Sequence, residues 1–320
     1  MVDDQPPRVV VAGLGGVGRA LLELIVERAL PLRLVGVADS KNSVVGDLDP
    51  RAVVAGKERG TLPGEPGDLL IDGRPDVFVD VMSCDFETGE PSLSAMLSAL
   101  EAGTSVVTAN KVPLARSWSK LRAAARASGT TIGYSGAAGA ALPAVAVART
   151  LARVEEVTAF RGVLTGTTTF VLQEMAAGMS LADAVRSAQE LGIAEPDPIV
   201  DIGGWDTACK AVILANTLWE LDLGLSDVSV RGIDPSTAVS STADKVCVVA
   251  QARVVGDTCK VEVGPEELGP HDPLSVLQGR DKGIVFEGPA IGMVTLSGGR
   301  SDPRGAAAAV LGDLLEATGR

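Results

Sequence analysis

The sequence predicts an α/β protein: a doubly wound parallel sheet followed by a second, α+β part. Three observations carry that prediction. The apolar run "RVVVA" enters a glycine-rich turn and leaves it as a helical pattern. Apolar runs and helical runs then alternate through the first half, as parallel strands joined by right-handed crossovers require. Beyond about residue 135 the alternation gives way to a mixture of helices and strand pairs.

The elements follow in order. "GLGGVG" holds G-x-G-x-x-G as Gly13, Gly15 and Gly18, and "RALLELIVERAL" continues with Leu21, Leu24 and Ile25 at helical spacing. Gly13 permits the tight turn, Gly15 admits a pyrophosphate to the backbone, and Gly18 lets the helix sit close to its strand. Gly16 and Val17 complete the loop. The helix N-terminus offers free N–H groups and the positive end of its dipole to phosphates. A simple turn would share the glycines, but strand, turn and helix together point to a Rossmann-type dinucleotide site for NAD or NADP. The next strand, "LRLVGVADS", ends at Asp39, the usual distance from the fingerprint for an acid on the adenosine ribose. Lys41 stands two residues on and could instead draw a 2′-phosphate, so the choice between NAD and NADP stays open.

"DVFVDVMS" reads as a buried strand, "PSLSAMLSALEAG" as a helix opened by Pro and closed by Gly, and "TSVVTANK" as another strand. The helix "VPLARSWSKLRAAARASG" and the strand "TTIGYSG" follow. Ligands on such sheets sit beyond the carboxyl ends of the strands. Ser83 and Lys111 both lie at such ends.

In the second half, "GAALPAVAVARTLA" reads as a small-residue helix and "VEEVTAFRGVLTGTTTF" as a strand entering a threonine-rich turn. "SLADAVRSAQELG" is a helix with a Ser cap and a terminal Gly. Then comes "IAEPDPIVDIGGWDTACKAVILAN", which holds four carboxylates and one lysine, Lys210. Pro196 and Pro198 keep Glu195 and Asp197 on an extended loop. Gly203 and Gly204 permit a sharp entry into the helix that carries Asp206 and Lys210, four apart on one face. An exposed pair of this kind contributes only ~0.3–0.5 kcal/mol. Here "AVILANTLW" is apolar almost all round, so the helix is buried and its lysine needs partners. Such a lysine suits proton transfer, and the carboxylates around it suit an ammonium group. "CVVAQARVVGDTCKVEVGP" reads as a strand pair turning at Gly256-Asp257. "GIVFEG" and "MVTLSGG" add strands, and "GAAAAVLGDLLEATG" is a closing helix.

Composition narrows the classes. The 320 residues exceed one comfortable core and predict two domains. Hydrophobic residues make up 46% and aromatics 3%, so aliphatic packing must fill the interior. A net charge of −13 argues against nucleic acid or an anionic membrane surface as partner. No apolar run is long enough to span a bilayer, and "MVDDQPPRVV" lacks the regions of a signal peptide. The four cysteines show no CxxC spacing and read as reduced thiols of a cytoplasmic protein. The single histidine, His271, sits in a turn-like stretch, which nearly excludes histidine triads and histidine-ligated metals.

These segments together resemble the homoserine dehydrogenase family in its short form, without a regulatory domain. "GLGGVG", "TANK", "LTGTTTFVL", "GIAEPDPIVDIGGWDTACKAVILA" and "AAAAVLGDLL" carry the resemblance, and the fourth is long and specific. The resemblance implies that Lys210 donates the proton, with Asp206 beside it and Lys111 as a second lysine at the reacting carbon. It implies Glu195, Asp201, Thr167 and Thr168 as substrate ligands, and Gly192 and Gly299 as cofactor contacts beside the loop glycines, Asp39, Ser83 and Lys111. The implied reaction interconverts L-homoserine and L-aspartate 4-semialdehyde with NAD or NADP, in threonine and methionine biosynthesis. The family pattern has Asn where Thr165, Thr169 and Lys282 stand, so another small amino-acid alcohol or aldehyde stays open as substrate. A catalytically silent nucleotide-binding protein is the reading from another class, and the presence of both lysines speaks against it. The family also has a Glu where Ser135 stands, on a monovalent-cation site. With a neutral serine there, no bound metal is expected. The expected organisation is a dinucleotide-binding domain over 1–135, a substrate-binding and dimerisation domain over 136–298, and a C-terminal helix over 299–320 packing back on the first. A homodimer is the expected assembly.

Overall fold

The structure, a computed structural model, describes residues 5–154, 156–194, 198–237, 245–256, 258–299 and 302–320. The chain divides into two compact units, Met1–Ala141 with Asp302–Arg320, and Leu142–Ser301.

The first unit is the doubly wound sheet that the alternation predicts. Its elements are β1 (Arg8–Ala12), α1 (Gly16–Glu27), β2 (Arg33–Ala38), β3 (Ser43–Val45), α2 (Pro50–Arg59), β4 (Glu65–Pro66), β5 (Val77–Asp80), α3 (Ser92–Glu101), β6 (Ser105–Thr108), α4 (Lys111–Ser128) and β7 (Ile132–Gly133). Among the described residues, seven strands lie in the order β4-β3-β2-β1-β5-β6-β7. The pairs from β2 to β7 are parallel, while β3 and β4 add antiparallel edge strands that the sequence pattern did not announce. Strands of two or three residues are too short for an alternation to register. The register aligns Ala12 with Ala38 and Asp80, and Asp80 with Thr108. Gly13, Asp39, Ser83 and Lys111 therefore all leave the sheet at one edge.

The second unit contains α5 (Ala144–Val154), β8 (Ala159–Val163), α6 (Gly166–Ala176), α7 (Leu181–Glu190), α8 (Ile199–Ile202), α9 (Trp205–Trp219), β9 (Val228–Val230), β10 (Lys245–Val255), β11 (Thr258–Leu268), β12 (Lys282–Gly288) and β13 (Gly292–Gly298). Its sheet runs β13-β12-β8-β10-β11-β9, antiparallel except between β11 and β9. Three elements differ from the sequence reading, one of them the short strand β9, which the pattern did not announce. The threonines of "TGTTTF" lie in the first turn of α6 rather than in a turn, and a short helix, α8, carries Asp201. Helix α9 packs on α5 and β10, and Phe160 of β8 stacks on its Trp219 at 6.0 Å. Leu274 and Leu277 join Val163, Val249 and Val285 in a separate apolar cluster.

The closing helix α10 (Pro303–Ala317) belongs to the first unit. Its Ala307, Val310, Leu311 and Leu314 enter the core built by Leu21, Val79 and Val107, and Arg304 pairs with Glu27 of α1. Asp302 caps it by accepting from the Gly305 N–H at 2.7 Å. Among the described residues, no helix is long and apolar enough to cross a membrane.

Candidate active site

In the first unit, the glycine loop has the geometry a dinucleotide needs. Gly13 has φ +107°, and a side chain there would strike the Val81 backbone. A side chain on Gly18 would collide with the Gly13 carbonyl, whereas the space beside Gly15 is open. Helix α1 starts at Gly16 with Gly15 as its cap and no side chain bonded to its first N–H groups. Those groups remain available to an anion, so the residues present fit a pyrophosphate. A groove of about 550 Å³ lies at the same strand ends, lined by Ala12, Ala38, Ser43, Gly67, Met82 and Ala95.

Asp39 follows β2 directly. One carboxylate oxygen accepts the N–H groups of Lys41 and Asn42, each at 2.8 Å, and the other accepts Lys57 Nζ at 2.6 Å. The Lys57 bond is the main reason that its pKa falls to about 2, with burial acting the other way. The sequence reading set Lys41 against Asp39, but Lys41 meets it through its backbone N–H. The lysine on the carboxylate is Lys57, which arrives from α2, an element with no motif to mark it.

Asp80 ends β5 and is fully buried. It accepts from Ser92 Oγ, from Thr108 Oγ1 at 2.8 Å and from Asn110 Nδ2 at 2.9 Å. Burial raises its pKa, and the three side-chain donors oppose that rise. Asn110 is the cap residue of α4, yet its side chain turns to Asp80 instead of the helix. The turn that precedes Lys111 is thereby tied to two strand ends and to α3. Lys111 is the first residue of α4 and half-buried, and Ser83 lies exposed beyond β5. The Cys84 thiol, 3.9 Å from Asn110 Oδ1, is pushed up to about 11, mainly by burial. Sequence reading missed Asp80; an acid closing the buried run "VFVD" was the available signal.

In the second unit, α9 opens at Gly204, whose φ of +82° only glycine adopts without strain. Asp206 is 6% exposed and the Lys210 side chain 16%. Lys210 Nζ donates to Asp206 Oδ2 at 2.5 Å, to the Leu164 carbonyl at 2.9 Å and to Thr165 Oγ1 at 3.3 Å. Thr165 Oγ1 in turn donates to Asp206 Oδ2 at 2.6 Å. An ammonium and a carboxylate are thus held together on a buried helix, with a small part of the lysine side chain exposed.

The remaining residues fall as follows. Thr167 Oγ1 donates to the Ile193 carbonyl, tying α6 to the segment after α7, and Thr168 is fully buried with its hydroxyl on the Thr165 carbonyl. What Thr168 can offer a ligand is its backbone N–H in the first turn of α6. Gly192 ends α7 with φ +66°, and Gly299 follows β13 with φ +78°. Asp201 lies half-buried on α8. Glu195, with Pro196 and Asp197, falls outside the described residues. Thr169 Oγ1 also donates to the Thr165 carbonyl, and Lys282 opens β12 at 4% exposure. Ser135 gives both its N–H and its hydroxyl to Asp313 of α10, each at 2.6 Å. Among the described residues, no group of three His, Cys, Asp or Glu side chains could hold a metal ion.

Comparison with known proteins adds to this geometry. Residues 143–315 match a family model described as homoserine dehydrogenase, and residues 13–135 match one described as homoserine dehydrogenase, NAD binding domain. An NAD(+)-dependent homoserine dehydrogenase of Pseudomonas canavaninivorans is 31% identical over 96% of this chain and 95% of its own length. The crystal structure of homoserine dehydrogenase from Thermoplasma acidophilum superposes with a TM-score of 0.88 at 28% identity, covering 99% of this chain and 100% of that one. A hyperthermophilic archaeal homoserine dehydrogenase in complex with NADPH superposes with a TM-score of 0.88 at 28% identity, covering 98% of each chain.

Proposed function

The chain belongs to the homoserine dehydrogenase family of NAD(P)-dependent oxidoreductases, and from that premise we propose that it interconverts L-homoserine and L-aspartate 4-semialdehyde. The observation that carries the reading is Lys210, whose ammonium is fixed by Asp206 on a buried helix yet keeps 16% of its side chain exposed. The glycine loop, the uncapped N-terminus of α1 and Asp39 would hold the dinucleotide. The chemistry the dinucleotide supplies when bound is a hydride carrier.

The work of the protein is orientation and proton transfer. As the aldehyde carbon gains a hydride, its oxygen gains an electron pair and needs a proton. Lys210 Nζ–H supplies it, and the N–H electrons stay on nitrogen as the O–H bond forms. In the oxidative direction the neutral amine takes the alcohol proton. Asp206 accepts one N–H of the ammonium and fixes its direction. We assign Lys111 to electrostatic stabilisation of the same oxygen. Glu195 and Asp201 are assigned to the substrate's ammonium group, and Thr167 and Thr168 to substrate through their place at the start of α6. Gly192 and Gly299 are assigned to the cofactor, where positive φ angles let bare backbone approach a ligand. A homodimer and a cytoplasmic location complete the reading, the first testable by light scattering.

Absorbance at 340 nm tests the activity. Purified protein with L-homoserine should reduce NAD or NADP, and the reverse assay with aspartate semialdehyde should consume the reduced cofactor. No turnover of homoserine with either cofactor would overturn the proposal. Turnover of a different amino-acid alcohol would keep the chemistry and replace the substrate.

A further inference from the structure

An ammonium has three N–H bonds to give, and in Lys210 all three are taken. Asp206 Oδ2 at 2.5 Å and the Leu164 carbonyl at 2.9 Å take two of them; Thr165 Oγ1, at 3.3 Å, takes the third and longest. A proton donor must also reach the reacting oxygen within about 2.6–3.2 Å. One of the three bonds has to yield, and the longest is the weakest.

Thr165 itself is unusual for its place. It is the cap residue of α6, with extended φ −133° and ψ 120°, where a threonine normally accepts an N–H of the first turn. Its side chain makes no such cap. It turns away and donates its one proton to Asp206 Oδ2 at 2.6 Å. Thr207 Oγ1 lies 3.0 Å away and, with the Thr165 proton committed, must be the donor of that pair. The hydroxyl therefore gives one bond to the carboxylate and receives one from Thr207 and one from Lys210. A local rule of helix capping is set aside to serve a pair 41 residues further on.

We propose that Thr165 is a positioning residue for proton transfer, its hydroxyl oxygen holding the third N–H of Lys210 and yielding it to the oxygen of the substrate. The proposal rests on the reading of Lys210 as the proton donor. With substrate bound, Lys210 keeps Asp206 and Leu164, and Thr165 keeps Asp206 and Thr207. The proton that moves thus always comes from the same N–H position, the one held on Thr165 Oγ1 before substrate arrives.

The test compares Thr165→Val, which keeps shape and removes the hydroxyl, with Thr165→Ser, which keeps the hydroxyl. Steady-state kinetics on homoserine and solvent deuterium isotope effects are measured, together with the rate at which an acylating reagent labels Lys210, read by mass spectrometry. In Thr165→Val, kcat should fall about tenfold, the worth of one net hydrogen bond, with KM nearly unchanged. The isotope effect on kcat should rise, and Lys210 should label faster. Thr165→Ser should behave as the wild type in all three. Wild-type kcat in Thr165→Val, or equal losses in Val and Ser, would overturn the proposal. Should Val not fold, Thr165→Cys, similar in size and a weak hydrogen bonder, carries the same expectation. If the wild type does not turn over homoserine at all, the functional reading fails. The labelling comparison still decides the link, because equal rates in wild type and Thr165→Val would refute it.

Discussion

Asp206 and Lys210 lie four residues apart on α9, and the lysine Nζ sits 2.5 Å from the carboxylate oxygen. Either partner alone would be a poorly compensated charge on a buried helix. Together they form a fixed ammonium. Lys210→Met, in which Asp206 still accepts the Thr165 hydroxyl, should fold with lowered stability and lose kcat by about 10²–10⁴, the range for removing a general acid–base. Circular dichroism and the rate at 340 nm check both halves. A folded Lys210→Met with wild-type turnover would remove Lys210 from the chemistry.

The Asp39–Lys57 pair bears on cofactor choice. With Lys57 at 2.6 Å, the Asp39 carboxylate is neutralised beside the end of β2. Lys57→Ala should weaken NADP binding about tenfold or more, because a 2′-phosphate would then face an unpaired carboxylate. NAD binding should change less. Fluorescence titration of both reduced cofactors measures this, and unchanged NADP affinity would place the 2′ position elsewhere.

The same pair predicts a pH dependence of stability. The folded pKa of Asp39 is depressed to about 2, from an ordinary 3.8. Its contribution is therefore present above pH ~4 and is lost as pH falls from there toward 2. Thermal melts of wild type and Asp39→Asn should differ most at neutral pH and converge near pH 2. A gap that stays constant across that window would exclude Asp39 as the source.

Asp80 should matter as an anchor. Asp80→Ala would leave Ser92, Thr108 and Asn110 without their shared acceptor, the first two fully buried and Asn110 partly so. Unpaired buried donors cost about 1–3 kcal/mol apiece, so a loss of at least ~2 kcal/mol is expected in urea unfolding. Because Asn110 precedes Lys111, kcat should fall in the surviving folded fraction. Full stability in Asp80→Ala would mean that the three donors find other partners.

Asp313 should fasten the closing helix. It is 4% exposed and accepts both the N–H and the hydroxyl of Ser135. Asp313→Ala should lower Tm and speed proteolysis within 302–320, while Ser135→Ala, which keeps the backbone bond, should have the smaller effect. Hydrogen exchange of α10 measures it, and equal protection in both variants would assign the packing of Val310 and Leu314 the whole role.

The sequence alone determined the longer elements and marked several of the polar groups they carry. Period-two and period-3.6 patterns are local, so the alternation, the glycine loop and α9 with Asp206 and Lys210 were legible without coordinates. Edge strands of two or three residues and the Thr-rich start of α6 were not, because such short stretches hold too few repeats for a pattern to register. Only the tertiary structure decided which side chains meet. Lys57 reaches Asp39 across 18 residues, Thr165 reaches Asp206 across 41, and Ser135 reaches Asp313 across 178. Each of those contacts depends on how strands register and helices pack, and no spacing along the chain encodes it. Lys210, the proposed proton donor, could be picked out from its helix, whereas the Thr165 hydroxyl beside it became visible only when the cap of another helix was seen turning toward Asp206.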